Sequence, residues 1–139
     1  MSKRFKKRSE TVKIQKEAGN LKSVLREYPV FCFRYIDKKL HPSNISPENQ
    51  KALLDKFYEL CQLEWIQIMS SSRHGLGTEK IEQKDLKFTL PRHVAEDVTI
   101  IALRYSGKMA MVGYRSEGNV FHILGVDISF NDSCYNHSG

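Results

Sequence analysis

The chain has 139 residues, 40% of them hydrophobic and 27% charged, which excludes global disorder and collagen-like repeats and fits a single core with at most an appended arm. No apolar run approaches the roughly 20 residues that cross a bilayer, and no apolar stretch follows the basic N-terminus as a secretory signal requires. Cys32, Cys61 and Cys134 form no C-x-x-C pair, so they read as reduced thiols of a cytoplasmic protein.

The net charge of +6 is unevenly placed. Residues 1–40 carry twelve lysines and arginines against four acids, whereas residues 41–139 carry ten against twelve. The basicity therefore belongs to an N-terminal arm, residues 1–28, ahead of a near-neutral α+β domain at 29–139. In that arm Lys3, Arg4, Lys6, Lys7, Arg8, Lys13 and Lys16 are candidates for contacting nucleic-acid phosphates. A solvated terminus that only aids solubility is the alternative. Val12, Ile14, Leu21, Val24 and Leu25 allow one or two short helices, interrupted at Gly19-Asn20.

After Pro29, the β-branched and aromatic run Val30–Ile36 predicts a strand. Ser46, Pro47 and Glu48 then read as N-cap, first helical residue and dipole-stabilising acid of a long helix. It is expected to run to about Met69, with Leu53, Leu54, Phe57, Leu60, Cys61 and Ile68 on its buried stripe. Ser70–Gly77 reads as a loop and Lys87–Leu90 as a short strand or extended segment. From Val98 the pattern turns to strands: 98–105, 109–115 and 120–128 make an antiparallel meander.

A two-residue turn at Ser106-Gly107 pairs Leu103 with Ala110, and the next connection pairs Gly113 with His122. In that register Ile101, Leu103, Val112, Tyr114, Phe121 and Ile123 face the helix. The other face gathers Arg104, Arg115 and His122, a set suited to clamping a phosphate and moving a proton near pH 7. A half-buried histidine with two arginines capping a sheet edge is the plainer reading of the same set. Tyr135 and His137 either fold back over that face or belong to a frayed tail. Arg73-His74-Gly75, with Glu79 and Lys80, forms a further polar cluster in what reads as a connecting loop. Cys134 is a nucleophile in principle only.

The five histidines (41, 74, 93, 122 and 137) are scattered without zinc spacing, and no phosphate-cradling glycine motif or G-x-S-x-G elbow is present. The residues thus predict no metal and no cofactor.

Strand, long helix, three-strand meander and polar tail together resemble the RelE/ParE-like toxins of bacterial toxin–antitoxin systems. The likeness rests on DVTIIALRYSGKMAMVGYRSEGNVFHILGVD followed by CYNH, about residues 97–137, with Arg104 ahead of Ser106-Gly107 and Tyr135 near His137. The family arginine just after the turn falls on Lys108 or Met109, and lysines that some members carry on the preceding strand fall on Ile100 and Ala102.

The resemblance implies a RelE-like fold and a metal-independent endoribonuclease that cuts mRNA in the ribosome. Its partners would be mRNA, the ribosome and a cognate antitoxin, with no membrane involved. His122 or His137 would be base or acid, with Arg104, Arg115 and Lys108 on the scissile phosphate and Tyr135 stacking on or donating to it. Two alternatives stay open. One is a non-catalytic phage or plasmid accessory protein that binds a host protein or nucleic acid through its basic arm; the other is a ParE-like inhibitor of a DNA enzyme.

Overall fold

The Ser46 hydroxyl accepts the Asn49 N–H at 3.2 Å, starting helix α1 at Pro47 and running it to Cys61. The structure, a computed structural model, describes residues 27–129 and 131–137, so the basic residues from Lys3 to Lys16 and the short helices expected beside them lie outside the described residues. The long helix expected to reach Met69 is two: α1, and a short α2 at Trp65–Met69. The break lets Trp65 enter the core, where its Nε1–H donates to the Asn119 carbonyl at 2.8 Å. The Gln67 side chain accepts the Glu64 N–H at 2.9 Å and starts the new turn. Leu54 and Cys61 do not join the buried stripe; Leu54 is 66% exposed.

Among the described residues five strands form one mixed sheet. They are β1 (Val30–Cys32), β2 (Thr78–Ile81), β3 (Ile100–Ser106), β4 (Met109–Arg115) and β5 (Val120–Val126), in the order β1-β5-β4-β3-β2. The β3-β4-β5 meander is antiparallel, as its turn residues predicted, and β1 joins β5 in parallel. The first strand ends at Cys32 rather than Ile36; of the two forms open to 87–90 the strand is not taken, and an edge strand the sequence did not suggest, β2, stands at 78–81. Thr78 and Ile81 are buried while Lys80 is exposed, a pattern too short to stand out from the loop before it.

Register is the main correction. Gly107 and Lys108 form the β3–β4 turn and Ser106 pairs with Met109, one position on from the expected pairing. Gly107 has φ +58°, the conformation that a tight primed hairpin turn requires at its first central residue. Leu103 then opposes Met111 and Ala102 opposes Val112. A one-residue slip moves every β4 side chain to the other face. Met111 therefore faces the helices with Ile101, Leu103, Phe121 and Ile123, while Val112 and Tyr114 face the opposite way with Ile100, Ala102 and Leu124. The β4–β5 pairing is likewise shifted, so His122 opposes Tyr114 and Gly113 opposes Ile123.

The helices cover one face of the sheet. Leu86, Phe88, Leu90, Val94 and Val98 cover the other together with Cys134 and Tyr135. Among the described residues no helix is long and apolar enough to cross a membrane.

Candidate active site

The tail folds back and is held by its backbone. Lys87 N–H donates to the Cys134 carbonyl at 2.8 Å, Asn136 N–H donates to Asp85 at 2.9 Å, and Leu86 bridges to Tyr135. The anchor is Asp127, just past β5 and 1% exposed. Its carboxylate accepts the Ala110 N–H at 2.9 Å and the Cys134 N–H at 2.6 Å, and meets His137 Nε2 at 2.9 Å. The His137 ring stacks on Tyr135 with 4.0 Å between centroids. The Tyr135 hydroxyl lies 3.4 Å from a Glu79 carboxylate oxygen.

Burial pushes the Tyr135 phenol well above its ordinary pKa, and Glu79 and Asp127 push the same way while Arg104 offsets part of the rise. The phenol therefore stays protonated at neutral pH and acts as a donor. Burial and the Asp127 charge likewise raise the Cys134 thiol, which is completely buried, so a nucleophilic role does not suit it.

A cleft of about 580 Å³, which no tail residue lines, opens between α1, the loop at 73–77 and the β3–β4 hairpin. Arg73, His74 and Arg104 line it together with Asp55, Lys56 and Glu59. The acids are largely engaged: Asp55 pairs with Lys51 at 2.9 Å and Glu59 with Lys56 at 3.0 Å. Lys56 also donates to the Leu76 carbonyl at 2.6 Å. Arg73 and Arg104 have no carboxylate partner among the described residues, and the buried Arg104 Nε has no hydrogen-bond partner there. Gly77, at φ +84°, lets the loop approach: a Cβ there would lie 2.6 Å from Arg104 Cβ. Loop and strand are thus packed to aim one arginine at the junction of cleft and tail.

Of the six side chains expected to carry the chemistry, Arg104, Tyr135 and His137 come together, and Lys108 projects from the exposed turn at the same end of the sheet. No family model, curated protein or solved structure matches this chain. The site is therefore read from its own geometry.

Arg115 and His122 lie elsewhere. Arg115 opposes Phe121 on the helix-covered face. Its guanidinium sits 4.9 Å from the centre of the Trp65 ring, pairs with Glu27, and donates from Nε to Gly118 at 2.8 Å. The slip that moved Val112 and Tyr114 separates it from Arg104 and His122. His122 shares the other face with Arg104, but it opposes Tyr114 whereas Arg104 opposes Ala110. Those positions on β4 are four residues apart, about 13 Å.

His122 instead joins a ring cluster that sequence reasoning missed. It stacks on Tyr114 at 4.8 Å, and Tyr114 bonds His93 Nε2 at 2.5 Å. Tyr35 lies 4.2 Å from the His93 ring and 5.9 Å from that of His122. His122 Nε2 meets the Ser116 hydroxyl at 3.0 Å, while its buried Nδ1 has no hydrogen-bond partner among the described residues.

Burial, with His93 adding to it, holds the His122 imidazole below its ordinary pKa of 6.5. The unfolded chain then binds the proton more readily, so this contribution to stability is present above pH 6.5 and lost as pH falls below it. Urea midpoints measured from pH 7.5 to 5.0 should decline over that window, and His122→Gln should flatten the decline. An unchanged slope in the variant would assign it to other groups.

His74 and Arg73 appeared in the sequence only as a polar loop. Asp127 carried no signal there, because its role depends on backbone donors from Ala110 and Cys134. No three His, Cys, Asp or Glu side chains come together as a metal-ligand set among the described residues.

Proposed function

We propose that this protein is a RelE-like endoribonuclease, a toxin of a toxin–antitoxin pair that cuts ribosome-bound mRNA at the hairpin end of its sheet. The reading rests on one observation: Arg104 lines the cleft that also carries Arg73 and His74, and its charge acts on Tyr135, whose ring stacks on the Asp127-bound His137. The RelE-like arrangement is supported by the antiparallel β3-β4-β5 meander with helices on one face.

In the proposed reaction the ribose 2′-oxygen attacks the adjacent phosphorus and the P–O5′ bond breaks, leaving a 2′,3′-cyclic phosphate and a 5′-hydroxyl. His137, oriented by Asp127 through Nε2, takes the 2′-OH proton on its imidazole, as a carboxylate-oriented imidazole does in hydrolases. Arg104, with Lys108 at the rim, stabilises the charge that develops on the phosphoryl oxygens. His74 supplies the second imidazole and returns a proton to O5′. Tyr135 holds the His137 ring in place by stacking.

The test is a cell-free translation reaction followed by primer extension. The parent protein should give discrete cuts only with ribosomes present. Arg104→Ala and His137→Gln should each slow cutting by about 100-fold or more while keeping the circular dichroism of the parent. Intact mRNA with the parent, or variants cutting at the parent rate, would refute the assignment.

A second reading, a non-catalytic phage or plasmid accessory protein, is favoured by exposed apolar side chains. Tyr28, Val30 and Phe33 lie on and beside β1, and Leu54, Tyr58 and Ile66 on the helices. Under it, translation proceeds with intact message and every variant behaves as the parent.

A further inference from the structure

On the tail-covered face, a second cleft of about 470 Å³ lies between the single-turn 3₁₀ helix at Lys38–Leu40 and the segment 87–89. Lys38, Lys39 and Lys87 line it with Phe88, Thr89 and Ser133. Asp37 also lines it, with Oδ1 accepting the Lys39 N–H at 2.9 Å. None of the three lysines forms an ion pair with it or with any other acid among the described residues. Three ammonium groups against one carboxylate leave the cleft net positive, which favours an added anion.

Chain-distant contacts hold the Lys87 side chain and the backbone of the turn that carries Lys38 and Lys39. Lys87 Nζ donates to the Ser133 hydroxyl at 3.2 Å and its backbone N–H is bonded to Cys134. Asp37 N–H donates to the Leu124 carbonyl at 2.8 Å, fastening the 3₁₀ turn to β5. A Cβ at Gly125 would lie 2.8 Å from Leu40 Cβ, so the turn packs directly on the strand. Leu40 and Phe88 give the cleft an apolar part, with Phe88 half-buried against the core of that face.

We propose that this cleft binds single-stranded RNA, with phosphates on Lys38, Lys39 and Lys87 and a base against Phe88. Ser133 lies two residues before Tyr135 and four before His137, so the bound strand continues along the tail to the hairpin-end site. The choice of RNA as ligand rests on the ribonuclease reading; the anion-binding cleft does not.

The test measures binding of the full chain to a labelled single-stranded RNA oligonucleotide whose 2′-hydroxyls are all O-methylated, which cannot undergo 2′-oxygen attack. Fluorescence anisotropy is read from 50 to 300 mM salt. Lys38→Glu/Lys39→Glu/Lys87→Glu should weaken binding at least 30-fold at 100 mM. The salt slope should fall by about 2, near 0.7 for each phosphate that is no longer neutralised. Lys51→Glu/Lys80→Glu/Lys84→Glu changes the net charge equally and should cost no more than threefold.

The Gln triple variant at 38, 39 and 87 should show the same ranking with a smaller loss, which guards against misfolding of the charge-reversed chain. Equal losses in the cleft and control sets, or none in the cleft set, would overturn the proposal. Displacement of the strand by inorganic phosphate at low millimolar concentration would also overturn it, in favour of a site for a single phosphate. The outcome is separable from that of the nuclease reading. Selective loss of binding alongside an inactive parent keeps the cleft and refutes the nuclease; ribosome-dependent cutting with unchanged binding does the reverse.

Discussion

Replacing Asp127 with alanine should cost the fold about 3–5 kcal/mol, measured by urea denaturation at pH 7. The carboxylate is buried and satisfies two backbone N–H groups, from Ala110 on β4 and Cys134 in the tail, as well as His137. Its removal leaves those donors inside the protein without partners, which is costlier than the loss of an exposed ion pair. Asp127→Asn keeps the shape and one acceptor oxygen, so it should lose about half as much. Both should release the tail, and residues 133–137 should exchange their amide hydrogens faster than in the parent. A loss below 1 kcal/mol for alanine would show that the tail is held by its apolar contacts instead.

Gly113→Ala should lower stability by about 3 kcal/mol or more, roughly 10 °C in melting temperature. A Cβ at this position would run into the His122 carbonyl oxygen and lie 2.9 Å from two Phe121 ring carbons. A strand backbone and a fully buried ring cannot move aside cheaply. Gly107→Ala serves as the comparison. Nothing lies within 4 Å of its added Cβ, and only the strain of φ +58° remains, about 1 kcal/mol. Similar melting points for the two variants would mean that β4 and β5 can separate locally to admit a methyl group.

The elements were legible wherever a local signal decided them. Ser46-Pro47 located the start of α1, and the glycines at 107 and 118 marked the two hairpin connections of the meander. Whatever depended on the exact residue in a turn was not legible. Choosing Ser106-Gly107 over Gly107-Lys108 as the turn is a one-residue difference. With strand period two, that difference was enough to send Arg115 to the wrong face and to set His122 opposite a glycine instead of Tyr114.

The bulges at Tyr105 and Leu124 compounded it, because an extra residue in one strand leaves no trace in hydrophobic alternation. The helix break at Gln62–Glu64 was hidden for a similar reason: Trp65 continues the apolar stripe acceptably and declares its position only when it meets Asn119. At the candidate site, the type of Arg104, Tyr135 and His137 was readable. The 73–77 loop and Glu79 stood out only as a polar cluster with no link to Arg104 or Tyr135, and Asp127 did not stand out, since all three act through partners distant in sequence.

The parallel pairing of β1 with β5 also sets an order of assembly. Val30 meets Val120 ninety positions later, whereas the β3–β4 hairpin closes across two residues. By loop-closure entropy the distant pair costs about 3 kcal/mol more to bring together. Three residues of ladder cannot offset that alone. Phe31 does so by seating against Phe57 at 4.8 Å and Phe121 at 5.9 Å, rings that are in position only after α1 has packed on the meander. By this entropy argument β1, the first strand among the described residues, is expected to join the sheet after α1 and the meander, so the basic arm hangs on the strand whose pairing spans the greatest sequence distance.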